Sequence, residues 1–133
     1  MSKAHYAQSP AVEAEFAARI EKIRNRFVLK HADRIEQIRA EISQMTGDGS
    51  DAVNAVASSY HWFHEICGIS STIGFEATGL QAQSCASILV GAFRAQRGLS
   101  PDETKSLASS LESFRIAAQH EMHSILPGRR SAL

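Results

Sequence analysis

Apolar side chains recur every three or four residues along nearly all of this 133-residue chain, which is the spacing of one face of an α-helix. Its three prolines, Pro10, Pro101 and Pro127, each lie near a plausible helix boundary. Alternating strand patterns bounded by turn dipeptides are missing from the sequence. Hydrophobic residues make up 44% of the chain and charged residues 21%, a globular rather than a disordered composition. The sequence therefore predicts an all-α fold.

The first fifty residues carry two apolar stripes. Ser9 and Pro10 form a helix start, with an N-cap followed by proline at the first helical position. The first stripe consists of Val12, Phe16, Ile20, Ile23 and Phe27, and the second of Ile35, Ile38, Ile42 and Met45. The junction at residues 29–31 contains neither glycine nor proline, so the sequence leaves open whether it is a kink or a turn. Residues 46–50, TGDGS, predict a loop.

Three further helices follow. A third helix is predicted from Ser50 or Asp51 through an aromatic stretch, and Gly74 and Gly79 bracket its end and the entry to a fourth. Residues 96–99 predict a loop with Gly98 as the helix C-cap. The last helix begins with a capping box, Ser100-Pro101-Asp102-Glu103. Its apolar stripe is formed by Leu107, Leu111, Phe114, Ala118, Met122 and Ile125.

Short loops between helices of this length are typical of an up-and-down four-helix bundle, here with an additional N-terminal helix. The bundle is predicted to span residues 10–126, with a frayed N-terminus at 1–9 and a flexible tail at 127–133. A monomer is expected, although the apolar first helix could dock either internally or on another chain.

Charge and cysteine content exclude several classes of function. Fourteen Lys and Arg balance fourteen Asp and Glu, so the chain has no bulk attraction for nucleic acid or anionic lipid. No run reaches the ~18 apolar residues that span a bilayer, and residues 1–10 lack the apolar stretch of a secretory signal. The two cysteines form neither a disulfide framework nor a CxxC zinc motif. These features favour a cytoplasmic protein that does not insert into membranes.

One face of the third helix carries polar and small residues around His64. With about 100° per residue, the positions within about 60° of His64 are Ala57, Tyr60, His61, Cys67, Gly68 and Ser71. The opposite, apolar side holds Ala55, Ser59, Trp62, Ile66, Ile69 and Ile73, flanked by Val56 and Phe63. His64 should therefore be reachable by solvent and by a partner. An accessible imidazole is largely neutral in the cytosol, so one ring nitrogen keeps the lone pair that a phosphoryl acceptor needs.

Gly68 lies one helical turn after His64 on the same face. A glycine inside a helix costs about 1 kcal/mol relative to alanine, and its missing side chain would leave the imidazole unscreened. The alternative interpretation is that Gly68 simply ends the helix.

Residues 64–74 read HEICGISSTIG and resemble the signature of histidine-containing phosphotransfer domains, in which glycines follow the acceptor histidine by four and by ten residues. Residues 26–38, RFVLKHADRIEQI, are similar to the helix pair that precedes the motif in many members. The resemblance covers roughly residues 20 to 95. It implies a four-helix bundle in which His64 accepts a phosphoryl group from a receiver-domain aspartyl phosphate and Gly74 is the second motif glycine.

The same resemblance implies a relay to a second receiver in a two-component pathway, with response-regulator receivers and a hybrid histidine kinase as partners. Such domains have no kinase or ATPase activity of their own, and the sequence contains no G-x-x-x-x-G-K-[ST] loop. No cofactor is expected on this chain, because Mg²⁺ would belong to the receiver. Receiver docking is expected on Ala57, Tyr60, His61, Gly68 and Ser71.

The chain departs from the family at Cys67, where most members carry a lysine. No Lys or Arg occurs between Arg39 and Arg94, so a local cation is missing unless a distant residue such as Arg94 folds towards the site. Either the receiver compensates the phosphoryl charge, with His61, Ser71 or Gln83 donating hydrogen bonds, or the phosphorylated state is less stable than usual.

Two other functions are compatible with the sequence. A helical adaptor would keep the fold and dock receiver or kinase domains without phosphotransfer, and the missing lysine favours it. A metal-binding bundle would use His61, His64 and Cys67. However, the first and last of these diverge by about 120° around the helix, so no metal site is expected.

Overall fold

The computed structural model describes residues 10–123, which form four α-helices and no β-strand. The helices are α1 (Pro10–Glu41), α2 (Ser50–Thr72), α3 (Glu76–Ala95) and α4 (Pro101–Met122), with a short 3-10 helix at Ile42–Met45. The prediction of an all-α fold is confirmed for these residues. None of these helices combines the length and the apolar character needed to cross a bilayer. The expected frayed segments at 1–9 and 127–133 lie outside the described residues, as do Ser9 and Ile125.

The first stripe and the start of the second, Ile35 and Ile38, lie on one helix, and Ile42 and Met45 follow in the 3-10 helix. α1 continues without interruption for 32 residues, and the separate N-terminal helix expected from the sequence is not found in residues 10–123. The physical reason is local, because residues 29–31 contain no glycine or proline that would break the backbone hydrogen bonds. The described helices therefore number four.

Neighbouring helices run antiparallel. Arg24, in the middle of α1, donates a hydrogen bond to Ile73 O at the end of α2. Arg34, ten residues further along α1, donates to Ser58 Oγ in the first half of α2. α3 and α4 are also antiparallel, since Glu121 at the end of α4 accepts hydrogen bonds from the first turn of α3. This arrangement is that of a helix bundle with alternating helix directions.

The core lies between the four helices. Its largest fully buried side chains are Phe63, Phe114, Ile38, Met45, Ile66, Leu89, Leu107 and Met122. All described residues of the last predicted stripe are buried, and the Ser100–Glu103 capping box forms as expected, with Glu103 N–H donating to Ser100 Oγ at 3.1 Å.

The buried face of α2 is rotated relative to the sequence prediction. Val56 and Phe63, expected to flank the core, are completely buried, whereas Trp62 is only half-buried. On the Phe63 side the ring packs edge-on against Phe114 of α4 at 5.3 Å, while α1 meets the Trp62 side through side-chain contacts such as Trp62 with His31. The position of the neighbouring helices, which the periodicity of α2 does not encode, sets this rotation.

Gly74 ends α2 before the turn into α3, whereas the end of α3 is formed by Gln96 and not by a glycine. Gly74 has φ +91° and ends α2 in a Schellman motif, in which Phe75 N–H donates to Ser70 O at 2.8 Å. The expected C-cap at Gly98 is wrong, because Gln96 takes the left-handed conformation at the end of α3 with φ +54°. Gly98 instead packs so closely on the backbone of Gly47 that a Cβ would collide with its carbonyl oxygen.

Candidate functional site

The middle of α2 presents His64 to solvent. His61, His64, Gly68 and Ser71 are exposed, while Ala57, Tyr60 and Cys67 are half-buried beside them. The structure thus brings together on one surface all the residues of α2 predicted to surround His64. The expectation that this imidazole is reachable by solvent is confirmed. We call this surface the His64 face.

An aromatic stack supports the His64 ring from one side. The Tyr60 ring lies nearly parallel to His64, with centroids 5.9 Å apart and an interplanar angle of 19°. On its other side Tyr60 stacks on Phe93 of α3 at 4.6 Å, and His61 meets Phe93 edge-on at 4.9 Å. A parallel neighbour covers the face of an imidazole and leaves the nitrogens, which lie in the ring plane, uncovered. The imidazole is therefore oriented without being blocked.

Phe93 is a site residue that sequence reasoning missed. It lies about thirty residues from His64, and no local pattern in the sequence links the two residues. The available signal was the antiparallel hairpin predicted around Gly74, which brings the end of α3 beside the first half of α2.

Gly68 lies inside α2 and does not end it. The helix continues to Thr72, whose hydroxyl donates to Gly68 O at 3.2 Å. A Cβ built at Gly68 would have nothing within 4 Å, so packing within residues 10–123 does not require glycine at this position. The interpretation of Gly68 as a helix terminus is wrong. The position leaves open space one turn from His64.

The predicted donors to a phosphoryl group are not hydrogen-bonded to the His64 ring itself. Within residues 10–123, neither Ser71 nor Gln83 makes a hydrogen bond to the imidazole, and both side chains are exposed. That they donate to a phosphoryl group on His64 stays a prediction. Cys67 is half-buried and packs against the edge of the core. Both cysteines are free, and burial raises the pKa of the Cys85 thiol to about 12, so that thiol is unreactive at neutral pH.

Cations reach one side of the His64 face from α1. Lys30 Nζ lies 3.6 Å from the carboxylate of Glu65, the residue next to His64. One turn further along α1, Arg34 donates to Ser58 Oγ at 3.1 Å and lines an open groove with His61. The stretch of sequence without Lys or Arg is therefore bordered in space by basic side chains from another helix. The sequence alone did not indicate that these residues of α1 lie beside the His64 face.

Trp62, which lies in the same groove as His61, is hydrogen-bonded to the buried His31. Its Nε1–H donates to Nδ1 of His31 at 3.0 Å, and His31 is only 3% exposed. Burial lowers the pKa of His31 below its ordinary value, with a smaller contribution from Lys30. Because Nδ1 accepts a hydrogen bond, His31 is neutral here and keeps its proton on Nε2. The residue belongs to the core and holds α1 against α2.

Residues 10–123 contain no cluster of three or more His, Cys, Asp or Glu side chains arranged to hold a metal ion. Compared with family models, with curated proteins and with solved structures, the chain matches none. Any functional conclusion therefore depends on the residues of the His64 face themselves.

Proposed function

We propose that this chain is a histidine phosphotransfer protein in which His64 accepts a phosphoryl group from a receiver-domain aspartyl phosphate and passes it to another receiver. The observation that carries the proposal is the combination of an exposed, stacked imidazole with open space at Gly68 one helical turn away. The HEICGISSTIG motif supplies the family resemblance.

The chemistry requires little from this chain. A ring nitrogen of neutral His64 attacks phosphorus with its lone pair, the P–O bond to the aspartyl carboxylate breaks, and that carboxylate leaves as the anion. Such a transfer depends mainly on in-line positioning and on compensation of the phosphoryl charge. The stack on Tyr60 restricts the orientation of the ring, which lowers the entropic cost of reaching the in-line geometry. Mg²⁺ would be supplied by the receiver.

Charge compensation comes from the receiver under this proposal, because the receiver contributes its own cationic groups. Lys30 and Arg34 border the His64 face, but each is paired with a carboxylate of its own chain, Lys30 with Glu65 and Arg34 with Glu41, both at 3.6 Å. Such pairs are close to neutral, so this border adds little positive potential at the phosphoryl group. Cys67 would leave phospho-His64 less stabilised than the lysine found in most family members.

Docking would use the same surface. Its half-buried centre and exposed rim suit an apolar helix of a receiver surrounded by polar contacts. The residues in this surface are Ala57, Tyr60, His61, Gly68 and Ser71. Relay between receivers and a hybrid histidine kinase would place the protein in the cytoplasm.

The test is transfer of radiolabel from a panel of phosphorylated receivers to the full-length protein. Wild type should acquire acid-labile, base-stable label, and His64→Gln should acquire none. His120→Gln is the matched control, since His120 is an exposed histidine on α4 away from the His64 face. Label on His64→Gln, or none on wild type from any receiver, would contradict the proposal.

A second candidate is favoured by Cys67 standing where most of the family has lysine. In this case the chain is an adaptor that docks receivers or kinases without phosphotransfer. The two candidates differ in one measurement, because an adaptor binds a receiver in a pull-down or by calorimetry yet never carries label. Loss of binding in Gly68→Gln would show that the His64 face is the docking surface in either case.

A further inference from the structure

The first half of α1 contributes no side chain to the core, although Arg24 ties it to the end of α2 by donating to Ile73 O at 2.6 Å. In residues 10–26 no side chain is buried, and the first core residue of the helix is Phe27. Three large apolar side chains of this segment stand in solvent, with Val12 53% exposed, Phe16 64% and Ile23 41%. Elsewhere in the described chain, exposed large apolar residues such as Leu80 and Ile116 are isolated, as is common on protein surfaces.

These side chains form one continuous stripe. Val12, Ile20, Ile23 and Phe27 all lie within about 40° of Phe16 around the helix axis. From Phe16 onwards the spacing is four, three and four residues, the repeat that packs one helix against another. The stripe leads directly into the core face at Phe27. A helix face of this kind is stable when a second apolar surface covers it.

We propose that this stripe pairs antiparallel with the same stripe of a second copy of the chain, forming a dimer. The charges beside the stripe determine the partner and its direction. Glu13 and Glu15 lie at its N-terminal end, and Arg26 lies at its C-terminal end, next to Arg24, which is engaged with Ile73 O of its own chain. An antiparallel pair places the acidic end of one helix against the basic end of the other, whereas a parallel pair would place like charges together.

One register pairs the apolar groups and the charges at the two ends, although it also brings Arg19 close to its symmetry mate near the centre. Placing Phe16 opposite Ile23 of the partner centres the pair near residue 19 or 20, and Glu15 then lies within about one turn of Arg26 of the partner on the same side of the stripe. In residues 10–123 neither Glu15 nor Arg26 makes an ion pair within its own chain, so both remain available. The overlap is about 25 Å long and leaves the two bundles at opposite ends.

The first experiment measures the mass of the full-length protein by light scattering and sedimentation over a concentration series. Wild type should be dimeric, and Phe16→Glu should be monomeric because it places a charge in the centre of the stripe. Leu29→Glu is the matched control. Leu29 is 80% exposed on the same helix, but about 140° around the axis from Phe16, so this variant should remain dimeric.

Charge reversal tests the antiparallel direction. Glu15→Lys and Arg26→Glu should each raise the dimer Kd about tenfold, since each reversed pair occurs twice in a symmetric dimer. The double variant Glu15→Lys/Arg26→Glu should return the Kd to near the wild-type value. Failure of the double variant to restore dimerisation would overturn the antiparallel register.

A wild-type protein that stays monomeric up to roughly 100 µM would overturn the proposal. The apolar stripe would then be covered by a different partner, such as a receiver. A dimer that persists in Phe16→Glu would equally overturn it, since the contact would then lie elsewhere. Dimerisation is independent of the proposed function. His64→Gln, which cannot carry a phosphoryl group at this position, should therefore dimerise like wild type.

Discussion

Replacing Gly68 with glutamine should stabilise the bundle and at the same time prevent phosphotransfer. Gly68 is exposed inside α2, and a Cβ placed there meets nothing within 4 Å. Glycine costs about 1 kcal/mol relative to alanine within a helix, and glutamine is nearly as favourable as alanine. The free energy of unfolding should therefore rise by about 0.5–1 kcal/mol, which corresponds to a Tm increase of roughly 2–4 °C for a chain of this size.

The same side chain should obstruct the site. Side chains on a helix lean towards its N-terminus, so glutamine at position 68 would lie over His64 and fill the space that a docking receiver needs. A displacement of reacting groups by about 1 Å costs on the order of 100-fold in rate. We therefore expect the initial rate of transfer from a phosphorylated receiver to fall by about 100-fold or more.

The two effects are measured by thermal unfolding followed by circular dichroism and by initial rates of label transfer. Gly91→Gln is the matched control, because Gly91 is an exposed helical glycine on α3 whose Cβ would have only Arg97 at 4.0 Å. It lies about 200° around α3 from Phe93, so it should gain stability without loss of transfer. A folded Gly68→Gln protein that transfers at the wild-type rate would refute the placement of the docking surface, and a lowered Tm would refute the open-space argument.

Three further outcomes follow from particular contacts. Gly74→Ala should lower stability in denaturant unfolding by about 1–3 kcal/mol, because φ is +91° and the Arg24 guanidinium lies 2.6 Å from the position of the new Cβ; an unchanged midpoint would argue against this. Burial lowers the pKa of His31 in the folded state below its ordinary 6.5, so the unfolded chain binds the proton first and stability falls as the pH drops below that value. His31→Leu should make this pH dependence less steep, and an equally steep decline would show that other groups cause it. Cys67→Lys should lengthen the lifetime of phospho-His64 measured by loss of label, and equal lifetimes would remove the argument from charge.

Local chemistry explains which elements could be predicted from the sequence. The capping box at Ser100, the loop at residues 46–50 and the start of α2 at Ser50 all formed as expected. Each depends on residues within one or two turns of each other, which the sequence displays directly. The error at Gly98 has the opposite origin, because that glycine is needed for a close approach to Gly47, about fifty residues away.

In the candidate site, too, some features follow from local sequence and others from the packing of distant helices. The set of residues around His64 follows from helical geometry alone, whereas the half-burial of Ala57, Tyr60 and Cys67 depends on the neighbouring helices. The ring stack on Phe93 and the arrival of Lys30 beside Glu65 depend on how α3 and α1 pack against α2. Periodicity within a single helix contains no information about either contact.

The amino-acid sequence by itself determined that this chain is helical, where most of its helices begin, and that a histidine and a glycine share one face of α2. Tertiary structure alone decided that the first half of α1 contributes no side chain to the core, which side of α2 is buried, and which cations border His64. The reason is that backbone hydrogen bonding and capping act over a few residues, whereas burial and charge proximity depend on which distant helices pack together.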